Sequence, residues 1–236
     1  MKIQFPFIGR EKQMAWLRQF HQERSNVLIL GPEGIGKSAL IEQVRKPLGL
    51  WVCPHSEHLS EICASLEHEL GLDSEDLLVV KRKNRILKLL KERKDVTVVF
   101  DGATWTTPKL STFIENVCLR VPVWVCARSE HPWDIGRIWP LLVRFHHIEL
   151  QPFHPKESQR LVAAAVNEGT VPEKTLGIVD WLHRHAEGNP KTMCELLTKI
   201  AHGRYDFNNP HSLRLLDLDR RIHEIFPTPA NKQAQF

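Results

Sequence analysis

No apolar run in this chain approaches the roughly 20 residues that a membrane-spanning helix needs, and the opening MKIQFPFIGREK lacks the apolar stretch of a secretory signal. The five cysteines, Cys53, Cys63, Cys118, Cys126 and Cys194, are odd in number and form no CxxC pair, which speaks against a secreted disulfide framework. A cytoplasmic protein without membrane attachment is therefore expected. No segment repeats with a period of about 20 to 50 residues, so a solenoid is not expected. Charge of one sign does not dominate either: 32 Lys+Arg against 28 Asp+Glu give a net +4, which permits an acidic partner such as nucleic acid without demanding one. What is present is ordinary globular material, 236 residues with 42% hydrophobic and 25% charged. A chain of this size buries roughly 70% of its unfolded surface and needs neither disulfides nor structural metal.

Short apolar runs of strand type recur at 26–30, 50–53, 96–100, 121–126 and 145–150. They lack polar alternation and are separated by segments of helical periodicity at 11–22, 37–44, 60–70, 75–92, 108–118 and 132–141. That combination predicts an α/β architecture, a parallel sheet covered on both faces. After residue 152 the strand signal vanishes and the pattern predicts helices at 155–167, 172–186, 190–202 and 211–225, punctuated by Pro and Gly. The expected division is an α/β core over 1–152, a small helical lid over 153–226 and a frayed polar tail over 227–236.

Between the first apolar run and the following helix lies Gly31-Pro32-Glu33-Gly34-Ile35-Gly36-Lys37-Ser38, the pattern GxxxxGK[ST] of a phosphate-binding loop. Gly31, Gly34 and Gly36 let successive backbone N–H groups turn inward around a phosphate, and the helix that follows adds its positive end. Lys37 is expected on the β- and γ-phosphates of ATP, and the Ser38 hydroxyl on Mg2+. The carboxylate partner for Mg2+ should lie at the end of the next-but-one strand, where Val96-Thr97-Val98-Val99-Phe100 runs into Asp101. The residues after it are Gly102-Ala103-Thr104-Trp105, so no second acid stands ready to polarise an attacking water.

With these motifs in order, the chain resembles the AAA+ superfamily, specifically the branch shared by origin-recognition ATPases and the STAND signal-transduction ATPases, NACHT modules included. The resemblance spans roughly residues 5 to 202 and implies a parallel-sheet P-loop core followed by a C-terminal helical lid. Phe7-Ile8-Gly9-Arg10-Glu11 is similar to the box that precedes the P-loop in that branch and lies along the adenine, which makes Gly9 and Arg10 expected nucleotide contacts. Asp101-Gly102 resembles the opening of the NACHT magnesium motif, without the acids that usually follow, and this implies slow hydrolysis. Val123 to Ser129 looks like the fourth-strand motif whose arginine senses the γ-phosphate; Arg128 then has that role or is an exposed arginine closing a strand. Gly188-Asn189-Pro190 resembles the lid turn, with Pro190 starting a helix whose first turn faces the nucleotide. Arg137 and Arg144 lie where the family offers an arginine to a neighbouring subunit's γ-phosphate, so either could act in trans in a homo-oligomer; each could equally be a surface arginine.

Lys81, Arg82, Lys83, Arg85, Lys88, Lys91, Arg93 and Lys94 form the most basic stretch. On a helix, Ile86, Leu87, Leu89 and Leu90 would be buried while most of the cations face water, or phosphates of DNA, through Lys81, Arg82, Lys83 and Arg85. Cys53, His55 and His58, or His183 and His185, match no zinc spacing. The tryptophans read as packing residues, with Trp105 and Trp133 beside the expected nucleotide edge. Three functions stay open: an ATP-dependent oligomeric regulator acting on nucleic acid, as in transposition or replication control; a STAND-type switch that binds a protein partner; and a nucleotide-binding scaffold without turnover.

Overall fold

The computed structural model describes residues 3–72, 77–93, 95–103, 106–127, 135–203 and 205–225. The described chain forms two compact units, residues 10–151 and residues 1–9 together with 152–236. The first unit holds β1 (Val27–Leu30), β2 (Trp51–Cys53), β3 (Val98–Ala103), β4 (Val123–Ala127) and β5 (His146–Glu149), joined in the order β2-β3-β4-β1-β5. Every pairing is parallel. The unit's helices are α1 (Glu11–Gln22), before β1, and, between the strands, α2 (Lys37–Leu48), α3 (Leu59–Leu70), α4 (Val79–Leu90), α5 (Pro108–Cys118) and the single turn α6 (Trp139–Leu142). This is the α/β parallel sheet that the unalternated apolar runs predict, because strands covered on both faces have no solvent side to make polar.

Register fixes which side chain meets which layer. Leu28 pairs with Val125, Val125 with Phe100, and Phe100 with Cys53, and all four are buried in one cluster with Ile62, Leu66, Ile86, Leu90, Phe113 and Ile114. The next row, Ile29 and Cys126, turns to the opposite face because successive side chains alternate. Below the sheet, His21 on α1 meets the Trp124 ring edge-on with centroids 6.3 Å apart, and its Nδ1 is 3.2 Å from Thr97 Oγ1. Burial, and then Arg24, lower the His21 pKa from 6.5. The unfolded chain then binds this proton more readily than the folded one, so the contribution is complete above pH 6.5 and is lost as pH falls below it. The melting temperature should decline on acidification through that window, and His21→Gln should flatten part of the decline; an identical decline in that variant would assign it to other groups.

The second unit consists of α7 (Pro155–Asn167), a 3-10 segment (Glu173–Ile178), α8 (Val179–Ala186), α9 (Pro190–His202) and α10 (Pro210–Ile225). Leu161, Val162, Leu182, Met193, Leu196, Leu197 and Leu216 form its core, with Phe5 and Ile8 packed on it. Residues 3–9, which the sequence reading placed with the α/β core, group instead with these helices. Among the described residues no helix is long and apolar enough to cross a membrane.

Several boundaries differ from the sequence reading for local reasons. The helix expected over 172–186 is broken at Ile178, whose φ of −117° ends a 3-10 segment containing Gly177 before α8 starts. The helix expected over 132–141 shrinks to α6, since Gly136 is held in a bridge to Thr106 instead; residues 128–134 lie outside the described residues. Helix α2 continues beyond residue 44 through Pro47 to Leu48 and stops at Gly49. The tail over 227–236 also lies outside the described residues.

Candidate functional site

Parallel strands all deliver their C-terminal ends to one edge of the sheet, where the following loops gather. Gly31, after β1, sits against the end of β5: a Cβ on it would come 2.8 Å from Ile35 Cγ2 and 3.0 Å from the Leu150 carbonyl oxygen. No larger residue fits that approach. Gly36 closes the loop at φ 99° and is the residue preceding the first turn of α2, so the N–H groups of Lys37 and Ser38 begin a helix with no side-chain cap of its own. These are the donors that an anion at a helix start would use. Gly34, at φ 77°, lies between them.

Lys37 folds back over the loop, its Nζ donating to the carbonyls of Gly31 at 2.7 Å and Pro32 at 2.9 Å. Its ammonium is thus held beside the space the loop encloses. Asp101 is only 9% exposed although it is a carboxylate. It does not end its strand as the sequence suggested: β3 runs on to Ala103, with a register shift between Phe100 and Ala103 against β4. Gly102, at φ 75°, makes that irregularity possible. Ser56 N–H donates to the Asp101 carbonyl at 3.2 Å, fixing the strand end from the β2 side.

Alternation after Phe100 places Asp101 on the same face as Cys126, one strand over. Cys126 is fully buried; burial pushes its thiol well above the usual range, the Asp101 carboxylate that it donates to raises it further, and Lys37 acts in the opposite sense. One thiol therefore senses both Lys37 and Asp101, two residues 64 apart in sequence brought to one place. Cys126 was not anticipated as a site neighbour, although its register opposite Ile29 follows from the strand pattern. Ser38 and Asp101 also line a common cavity of about 460 Å3, together with Val52, Pro54, Glu42 and Arg45. Glycine donors, a lysine ammonium, a serine hydroxyl and a buried carboxylate suit a nucleotide triphosphate with a hard divalent cation.

The remaining expected residues are placed as follows. Arg10 is 7% exposed and its Nη2 donates to the carbonyls of Ile35 at 3.4 Å and Gln151 at 2.6 Å. Gly9 belongs to the other unit, where a Cβ on it would come 2.6 Å from Glu157 Oε1. Pro190 begins α9 behind Asn189, whose Oδ1 accepts from the N–H groups of Lys191 at 3.0 Å and Thr192 at 3.4 Å. Arg137 and Arg144 are exposed on either side of α6. Arg128, Trp105 and Trp133 lie outside the described residues. Lys81 is exposed on α4, and Lys83 is half-buried. Arg85 is exposed and makes interactions of its own. Arg82 departs from the expected set of phosphate contacts: its Nε and Nη2 grip the Glu67 carboxylate of α3 at 2.5 to 3.1 Å. That guanidinium is committed to the interior of the α3–α4 pair.

Residues 6–203 match the family described as the AAA ATPase domain. No curated protein matches the sequence. Solved structures of similar fold include the Orc1 protein of Aeropyrum pernix in complex with DNA, at 15% identity and TM-score 0.67 over 92% of this chain and 66% of that one. Cdc6p of Pyrobaculum aerophilum is similar at 14% identity and TM-score 0.64, over 85% of this chain and 62% of that one. A RuvB mutant of Thermotoga maritima is similar at 14% identity and TM-score 0.60, over 94% and 73%. The chain spans less than two thirds of the length of the first two proteins.

Proposed function

Because the chain belongs to the AAA ATPase domain family, we propose that its α/β unit binds ATP with Mg2+ and that the protein is an ATP-dependent oligomeric regulator acting on nucleic acid. The observation that carries the nucleotide half is the glycine loop with Lys37 Nζ folded onto its Gly31 and Pro32 carbonyls and with Ser38 and Asp101 lining one cavity. Gly31, Gly34, Gly36 and Lys37 would hold the phosphates, Ser38 and Asp101 the cation, and Arg128 would face the γ-phosphate. Arg137 or Arg144 would serve a neighbouring subunit.

Nucleic acid is favoured by the exposed cations of α4, Lys81 and Lys88, and by Lys91 just after it, on a helix whose Ile86, Leu87 and Leu90 are buried. The fold it shares with an Orc1 protein solved on DNA points the same way. The test is particle mass with ATP and with ADP, and binding to duplex DNA at several salt concentrations. ATP should raise the mass and permit DNA binding. Lys81, Lys88 and Lys91 replaced by Gln should weaken binding alike for all sequences and make the slope of log affinity against log salt shallower by up to about three. Wild-type protein that binds ATP but no DNA at low salt would remove the nucleic-acid reading. The switch that binds a protein partner would then take its place, a reading that the resemblance of Asp101-Gly102 to the NACHT magnesium motif favours.

A further inference from the structure

Arg10 is a bulky residue in the left-handed region, at φ 70° and ψ 12°, directly before α1. Side chains with a Cβ adopt that conformation rarely, and it persists where the surroundings over-determine it. Here they do. The guanidinium is buried, and a single nitrogen, Nη2, reaches two carbonyls from distant parts of the chain. Ile35 lies inside the phosphate loop, is 1% exposed and presses its Cγ2 toward Gly31. Gln151 follows β5, whose extension is tied to β1 by the Leu150 N–H donating to the Leu30 carbonyl at 2.8 Å.

Those two anchor points have a common topological meaning. The chain enters the α/β unit at Arg10 and leaves it at Gln151. The residue before Arg10, Gly9, and the residue after Gln151, Pro152, both belong to the helical unit. One guanidinium therefore ties together the two chain passages at Gly9–Arg10 and Gln151–Pro152, and ties both to the loop that the glycine pattern marks for phosphate.

We infer that Arg10 is a positioning residue that braces the phosphate loop against both chain crossings, so that nucleotide in the loop stiffens the backbone where it enters and leaves the α/β unit. The brace itself stands on the hydrogen bonds; the nucleotide response rests on the ATP reading above. Arginine suits the position because its planar, permanently charged guanidinium holds the Nη2 donors in a fixed direction, whereas a lysine ammonium is a point charge on a flexible stem. The role differs from a direct nucleotide contact, since Arg10 acts through Ile35 and Gln151.

The experiment compares the full-length chain with Arg10→Gln and Arg10→Lys, measuring thermal unfolding, affinity for ATP with Mg2+, and amide hydrogen exchange with and without that nucleotide. In nucleotide-free protein, Arg10→Gln should speed exchange in both 33–38 and 149–151 together, although these segments are far apart in sequence. ATP should slow exchange in both segments of the wild type. In Arg10→Gln, ATP should still protect 33–38 but not 149–151, with affinity reduced about tenfold, and Arg10→Lys should recover most of the affinity. Local loosening of one segment alone, or unchanged affinity with ATP protection intact at 149–151, would overturn the inference. If the wild type binds no ATP, the nucleotide reading fails; the brace is then decided by the nucleotide-free exchange, where paired loosening supports it and its absence refutes it. A variant that does not fold is replaced by Arg10→Lys, whose ammonium keeps a charged donor without the guanidinium's fixed direction and should loosen 33–38 and 149–151 to a smaller degree.

Discussion

Lys37→Ala should fold and melt close to the parent chain, yet bind ATP with Mg2+ about a hundredfold more weakly. The lysine is the half-buried first residue of α2 and not part of the core, and an alanine there is compatible with the helix that starts after Gly36. What the substitution removes is a cation that already rests against the loop, with Nζ donating to the Gly31 and Pro32 carbonyls at 2.7 and 2.9 Å. Phosphate oxygens are charged acceptors and outcompete neutral carbonyls for such a donor. Hydrogen bonds to charged groups are worth about 1.5 to 3 kcal/mol each, so a loss of about 3 kcal/mol is expected, a little over two powers of ten in affinity. Titration calorimetry with ATP and Mg2+, beside a thermal melt, separates this from misfolding. Unchanged affinity in a folded Lys37→Ala chain would remove the phosphate-loop assignment and the proposed function with it.

The loop was legible because its signal is local: glycine spacing, a lysine and a serine at fixed offsets, an apolar run before and a helix after. The helix starts at Pro108, Pro155 and Pro190 were legible for a similar reason, since proline is tolerated in the first turn and the chain marks it plainly. Asp101 was found by the same local logic but its strand end was misplaced, because a register shift at Gly102 depends on the neighbouring strand and not on the run itself. Phe5 and Ile8 carry no periodicity that would assign them to the C-terminal helices, with which they pack. Arg10 was read as part of a box, and its hold on Ile35 and Gln151 spans 25 and 141 residues, a distance that no local pattern encodes. Composition shows how many cations α4 carries; only the packing of α3 shows that one of them is not available to a partner.

Arg82→Leu should lower stability by about 3 kcal/mol, the second large effect expected of this chain. Glu67 is a carboxylate with its side chain only 5% exposed, and Arg82 is 16% exposed beside it. The guanidinium presents Nε and Nη2 to the two carboxylate oxygens, the fork geometry that a lysine cannot reproduce. The Glu67 hydrogen bond raises the Arg82 pKa further, so the guanidinium stays charged at any working pH. Helices α3 and α4 reach the core through Ile62, Cys63 and Leu66 on one side and Ile86, Leu87 and Leu90 on the other. Removing the arginine leaves the Glu67 charge among these groups with water only partly able to reach it, whereas the unfolded chain solvates it fully. For a chain of this length a loss of about 3 kcal/mol corresponds to a melting point lower by roughly 6–12 °C. The double change Glu67→Leu with Arg82→Leu should recover most of that loss, since two apolar groups of similar volume leave no buried charge behind. If Arg82→Leu melts with the wild type, the pair is not what holds α4 to α3, and Arg82 returns to the cations that a phosphate backbone could engage.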